Sequence, residues 1–278
     1  MSTANLKDAT LEQLVDSINA NAARLNSFKA TVDIDTTVVE QKKGKAKDYP
    51  QVRGYVLARK PEMLRMILLV PVVRNTFADM VSDSHNFRLS LPSRKEFRVG
   101  SNLNTGRPSA QLLENVRPQH IKDALLLREI DSASEIAFLE EGTEIVKDPK
   151  SHKDVQQATY EVVIITKDSA GYYLSRKVIF SRTDLLPHQQ LIYARDGRLM
   201  TEARYENFTD HNGIMFPDII GVHRPIEDYT ITLSVVKLNL NEPLTDDQFI
   251  LAQPAGYKLI NMDDKAESGE NESALRKP

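Results

Sequence analysis

Cysteine and tryptophan are both absent from the 278 residues. The first absence excludes a disulfide framework, a thiolate metal site and a cysteine nucleophile. It leaves the redox compartment open, because an oxidising one permits disulfides without requiring them. The second, with aromatic residues at only 6%, removes the aromatic and basic interleaving on which nucleic-acid strands stack, so no nucleic-acid partner is expected. Neither sign of charge dominates, and a formal net charge of −3 makes no field that implies a polyanionic partner. No run approaches the roughly 18 uninterrupted apolar residues of a spanning helix. The opening MSTANLKDATLEQ lacks a basic region followed by an apolar one, so as it stands it carries neither a secretory signal nor a lipid-attachable cysteine.

Catalytic patterns are missing too. There is no G-x-S-x-G elbow, no phosphate-binding GxxxxGK[ST] loop and no G-x-G-x-x-G turn. His85, His120, His152, His188, His211 and His223 show no metal-ligand spacing. The expectation is a non-enzymatic chain with no cofactor and no metal.

What is present is a core-forming composition, 41% hydrophobic, arranged in two periods. Leu11, Leu14, Val15, Ile18, Ala22, Leu25 and Phe28 recur at helical spacing behind a Thr10/Gln13 capping box. From Ala30 through Val32, Ile34 and Val38 the period becomes two, the mark of a half-buried strand. The charged run at 40–50 predicts a hairpin loop before a strand at 52–59, and further strands are predicted at 63–70, 76–82, 86–91 and 94–99. Pro118 followed by Ile121, Ala124, Leu125 and Leu127 predicts a short second helix. Beyond it the segments YEVVIIT, YYLSRKVIFS, HQQLIYA, RLMTEARYENF, IMFPDIIGVHR and YTITLSVVKLNLN read as strands. Several are separated by turn signals such as Asp196-Gly197 and Asn212-Gly213. A single domain over 1–262 with a disordered polar tail at 263–278 is expected.

Many long antiparallel strands and few helices cannot be covered on both faces by helices, so the sheet must curl over its own apolar face. The expected class is mainly β (α+β): a strongly curved antiparallel, unclosed β-barrel with helices covering the concave face. Alternation assigns Val32, Ile34, Leu57, Ile67, Leu69, Phe87, Leu89, Val162, Ile164, Leu174, Val178, Ile231 and Leu233 to that face. Leu14, Ile18, Ile121 and Leu125 join them from the helices. The same alternation fits a hollow and a packed interior equally.

The helix LEQLVDSINANAARLNSFKATVDI, the pair GYVLARKPEMLRMILLV, the segment SDSHNFRLSLPSRKEF and the ending LNEPLTDDQFILAQPAGYKLINM together resemble the LolA/LolB lipoprotein-localisation proteins of Gram-negative bacteria. The resemblance implies a helix-lidded open barrel in the periplasm or at the outer membrane. Its interior would receive acyl chains of lipoproteins or phospholipid, with a membrane surface as a further partner and a monomer as the working form. It implies that LLVPVVRN is a hairpin whose tip, Val72 with Val73 beside it, touches the membrane. It also implies that Arg59 or Lys60, in the Arg59-Lys60-Pro61 stretch, holds the closed lid. The alternatives are an envelope protein-interaction module of the same fold without lipid cargo, using the basic stretch Arg88, Arg94, Lys95, Arg98 and Arg107, and a lipid hydrolase, for which no motif speaks.

Overall fold

Strands dominate, as the period-two patterning requires. The computed structural model describes residues 5–40, 45–102, 118–147 and 153–263, which gather into two units. The first takes the described residues within 1–24 and 126–226, the second those within 25–125 and 227–278. Arg107, His152, the 41–44 part of the charged loop, the tail from residue 264 and the side chain of His120 lie outside what is described.

The second unit contains β1 (Ser27–Glu40), β2 (Lys45–Arg59), β3 (Met63–Leu69), β4 (Thr76–Ser82), β5 (Asn86–Leu91), β6 (Glu96–Ser101), α2 (Pro118–Leu125), β13 (Tyr229–Leu240) and β14 (Lys258–Asn261). Its strands lie in the order β14-β6-β5-β4-β3-β2-β1-β13. Neighbours are antiparallel apart from β14, which pairs parallel with β6, Leu259 opposite Phe97. The parallel pairing follows from the long return, residues 241–257, that carries the chain from β13 to the far edge. Phe28, Ala30, Val32 and Ile34 are all buried, so the alternation read from β1 faces a core. The 40–50 run is a strand for most of its length. Val38 pairs with Lys47 and Thr36 with Tyr49, the Thr37 hydroxyl donates to Asp48 at 2.7 Å, and the Lys47 ammonium sits 5.1 Å from the Tyr49 ring centre. Cross-strand pairs among polar side chains thus replace the expected loop.

The first unit is a meander whose strands pair in chain order. It contains β7 (Glu135–Lys147), β8 (Asp154–Asp168), β9 (Gly171–Ser181), β10 (Pro187–Tyr193), β11 (Leu199–His211) and β12 (Ile214–Arg224), with α1 (Leu11–Arg24) against it. The capping box forms: the Thr10 N–H donates to Gln13 Oε1 at 2.9 Å and the Gln13 N–H to Thr10 Oγ1 at 3.3 Å. Helix α1 stops at Arg24 rather than running on to Phe28, because Ser27 and Phe28 already pair with β2. The β11–β12 turn has positive φ at both Asn212 and Gly213, 57° and 85°, the geometry that makes Asn-Gly a hairpin signal. Among the described residues the strand ladder of neither unit closes on itself, and the fold is mainly β.

Candidate functional site

The inner faces of β1 to β5 and β13, with α2, leave a hollow of about 610 Å³ in the second unit. Its lining is aliphatic, thioether and aromatic: Ile34, Val52, Met66, Leu68, Val70, Phe77, Ala78, Met80, Leu89 and Ile231 from the strands and their ends, Ile121 from α2, and Pro50 and Pro71. Among the described residues, Thr36, Tyr49 and Arg94 are the polar side chains of the lining. Gly54 serves the inner face by lacking a side chain: a Cβ there would stand 3.1 Å from both Ile34 Cδ1 and Leu68 Cδ2. Helix α2 turns Ile121 and Ala124, 1% and 0% exposed, inward.

Of the residues assigned by alternation, Ile34, Leu89, Ile121 and Ile231 line the hollow. Val32, Phe87 and Leu233 alternate onto the same face but are packed solid, as is Leu125. Leu57 belongs to a different cluster with Val81, Leu244 and Phe249, and Ile67 and Leu69 share its face. The side of β3 that meets the hollow is Met66 and Leu68, one residue out of step. Both faces of β3 are apolar, so alternation alone cannot choose between them. The signal that decides is charge: Arg53 and Arg59 on β2 and Arg65 on β3 mark the outward parity.

Arg59 does not reach α2. Its guanidinium donates to the Leu244 carbonyl at 2.6 Å, pairs with Asp246 at 2.5 Å and lies 5.1 Å from the Phe249 ring centre. Arg65 adds a donation to the Gln248 carbonyl at 2.8 Å while pairing with Asp79 at 2.7 Å. Together they strap the 244–249 segment across the outer face of β2 and β3. Lys60 contributes its backbone N–H to the Asn26 carbonyl at 2.8 Å. The group that ties the helix to the Lys60-Pro61 turn is instead Lys122 of α2, paired with Glu62. The polarity is the reverse of the one expected, with the base on the helix and the acid on the hairpin. Lys122 is only 7% exposed, and burial pushes its ammonium below the usual lysine range, with Asp123 acting in the opposite direction.

The β3–β4 hairpin carries the two valines on its turn. Val72 is 98% exposed and Val73 65%, and the turn is closed by Val73 N–H to Pro71 O at 2.9 Å and Arg74 N–H to Val70 O at 3.0 Å. Val72 sits at φ 70° and Arg74 at φ 54°. A β-branched residue there is strained as well as wet. Val70 and Pro71 at the base of this tip also line the hollow.

The first unit differs. Leu14, Ile18, Val162, Ile164 and Val178 form one packed cluster with Ile130, Tyr160 and Phe180. Leu174 is half-buried beside the bulge that pairs it with Ile165. A pocket of about 170 Å³ beside α1 is too small for a long chain. At the edge of the cluster the Glu135 side chain, 0% exposed, accepts from Arg128 at 2.5 Å and from the Asp131 N–H at 3.0 Å, with Arg176 at 3.4 Å. Burial pushes the Glu135 carboxyl up, but these donors outweigh it and hold it below the ordinary range. Burial drives Arg176 down to about 10. Of the basic stretch, Arg98 is buried and paired with Glu96 at 2.7 Å, whereas Arg88, Arg94 and Lys95 are exposed. Among the described residues no group of three or more His, Asp or Glu is arranged to hold a metal, and no helix is long and apolar enough to cross a membrane.

No protein-family model matches the chain, and no curated protein does. Solved structures do. The chain is similar to a LolA superfamily protein from Nitrosomonas europaea, at 18% identity and TM-score 0.51, over 85% of this chain and 97% of that one. It is also similar to a DUF1329 family protein from Desulfovibrio piger, at 14% identity and TM-score 0.57, over 85% and 94%. The fold of this chain, a mainly antiparallel sheet with two α-helices among the described residues, is LolA-like.

Proposed function

We propose that this chain is a non-enzymatic carrier or receptor that shelters the acyl chain of a lipoprotein or lipid in the hollow beneath α2. It would act as one domain over residues 1–262, as a monomer, in the periplasm or at the outer membrane of a Gram-negative bacterium. The hollow itself carries the reading. Its walls are almost wholly apolar, and an empty apolar space is filled most favourably by hydrocarbon, at about 0.8 kcal/mol per methylene removed from water. Ile34, Leu89, Ile121 and Ile231 are the predicted residues that would touch the chain, with Met66 and Leu68 beside them. Val72 and Val73 would meet the membrane, bringing the base of the hairpin, and with it the hollow, to the bilayer. The likeness to a LolA superfamily fold agrees with such a role.

The test is lipid occupancy. Native mass spectrometry of the purified chain should find copurified hydrocarbon-bearing ligand, and Ala78→Trp, which fills the hollow, should abolish it while leaving the melting curve cooperative. Equal occupancy in wild type and A78W would move the ligand elsewhere and end the reading.

A further inference from the structure

We infer that the bilayer met by the β3–β4 tip is one whose surface carries anionic lipid, with Arg74, Lys47 and Lys95 as its electrostatic contacts; this rests on the reading that Val72 and Val73 touch a membrane. Size is the first argument. Val72 is 98% exposed and Val73 65%, yet two valines bury less apolar surface than one myristoyl chain, which by itself holds a membrane only marginally and reversibly. Lasting attachment takes a second signal, and basic groups beside the apolar ones supply it on an anionic surface. Shape is the second argument. The tip is narrow, residues 70–75 between two strands, whereas a protein partner of standard size buries about 800 Å² on each side. Lipid closes around a point, and a folded partner does not.

Charge is the third argument. Arg74 is the one charged residue between Arg65 and Asp79 in the sequence. It sits on the tip itself, exposed, with its backbone N–H donating to the Val70 carbonyl at 3.0 Å. The neighbouring turns add to it. β4 leaves the tip at Thr76 and pairs Asp79 with Ser90, which returns the end of β5 and the exposed Lys95 beyond it to the same end of the sheet. β2 pairs Arg53 with Leu69, so the exposed Tyr49, earlier on β2, lies past the level of Leu69, with the Lys47 ammonium 5.1 Å from its ring centre. Tyr49 and Pro71 both line the hollow. The acids next in sequence face other donors: Asp48 accepts from the Thr37 hydroxyl at 2.7 Å, and Glu96 pairs with the buried Arg98 at 2.7 Å. A tyrosine ring at headgroup depth, and basic stems that lie along acyl chains with their heads among lipid phosphates, suit this margin.

The experiment sediments the full chain with phosphatidylcholine vesicles, with and without phosphatidylglycerol, at low and at high salt. Wild type should bind the anionic vesicles at least about tenfold more tightly, and high salt should abolish the difference by screening. Arg74→Gln should lose about fivefold on the anionic vesicles, the worth of one basic residue near such a surface, and nothing on the neutral ones. Adding Lys47→Gln and Lys95→Gln should bring the two vesicle types level, with melting unchanged because all three residues are exposed. Val72→Gly should weaken both alike. Equal binding to both vesicle types by wild type, or a preference that the triple variant keeps, overturns the anionic inference while sparing the tip. Failure of wild type to bind vesicles of either kind, or binding that V72G leaves untouched, overturns both.

Discussion

Glu62→Gln should loosen α2 far more than Lys122→Met, although the two changes cut the same ion pair. The difference lies in what each leaves behind. Lys122 is 8% exposed at its side chain and Glu62 39%, so deleting the lysine frees a carboxylate that water already reaches, and methionine fills the vacated stem with apolar atoms. Deleting the acid strands an ammonium in the interior. Removing one partner so that a buried charge is left uncompensated costs about 3–5 kcal/mol, whereas a change that leaves no buried charge, an apolar side chain filling the space, is near neutral. Water at the Glu62 end reduces the larger figure to about 2 kcal/mol, or about 30-fold in the opening equilibrium of the helix. Amide hydrogen exchange over residues 118–125 reads that equilibrium directly. In E62Q, burial disfavours the protonated lysine in the folded state, so the unfolded chain binds that proton more tightly. Stability should therefore recover as pH rises from the lowered folded value toward 10.5. Equal loosening by the two variants, or greater loosening by K122M, would refute the account of the latch.

Three further outcomes follow from the geometry. Glu135→Gln should lower unfolding free energy by about 3 kcal/mol in urea titrations, because Arg176 remains interred without its counter-charge. Burial opposes the charged forms of His188 and Asp184, but their 2.8 Å contact outweighs it, raising the imidazole above 6.5 and lowering the carboxyl below 3.8. The histidine contribution is complete below 6.5 and fades as pH rises through the folded value, and the aspartate contribution is complete above 3.8 and fades as pH falls. Asp184→Asn should therefore destabilise more at about pH 5 than at about pH 9 in parallel melts. Val72→Gly should stabilise the chain by about 1 kcal/mol by relieving the left-handed valine, yet weaken sedimentation with lipid vesicles; a variant that binds vesicles as well as wild type would remove the tip from the membrane contact.

The two helices, the Asn212-Gly213 turn and most strands were legible because each rests on a local rule. β7 was not. Its sequence EIAFLEEGTEIVK interrupts apolar alternation with Glu140, Glu141 and Glu144, and its strand character comes from pairing along its whole length with β8. Glu140 on that strand is answered across the sheet by Lys177 of β9 at 3.3 Å, which also meets Glu161 of β8 at 3.1 Å, a compensation no window of sequence contains. At the hollow, Ile34, Leu89, Ile121 and Ile231 were legible because their strands and helix have one apolar face. Met66 and Leu68 were missed because β3 has two. The reach of Arg59 and the Lys122–Glu62 pair depend on long-range packing, the former on a segment more than 180 residues away, and no local pattern encodes it.

The four residues of β14 cover the outer side of β6, which would otherwise present a row of unsatisfied amides and carbonyls to any passing strand. The chain's last described strand therefore works as a hem. It shortens the exposed margin to four residues only after β13 has been laid down, and a polypeptide emerging from synthesis keeps the full edge of β6 sticky until residues 258–261 are available.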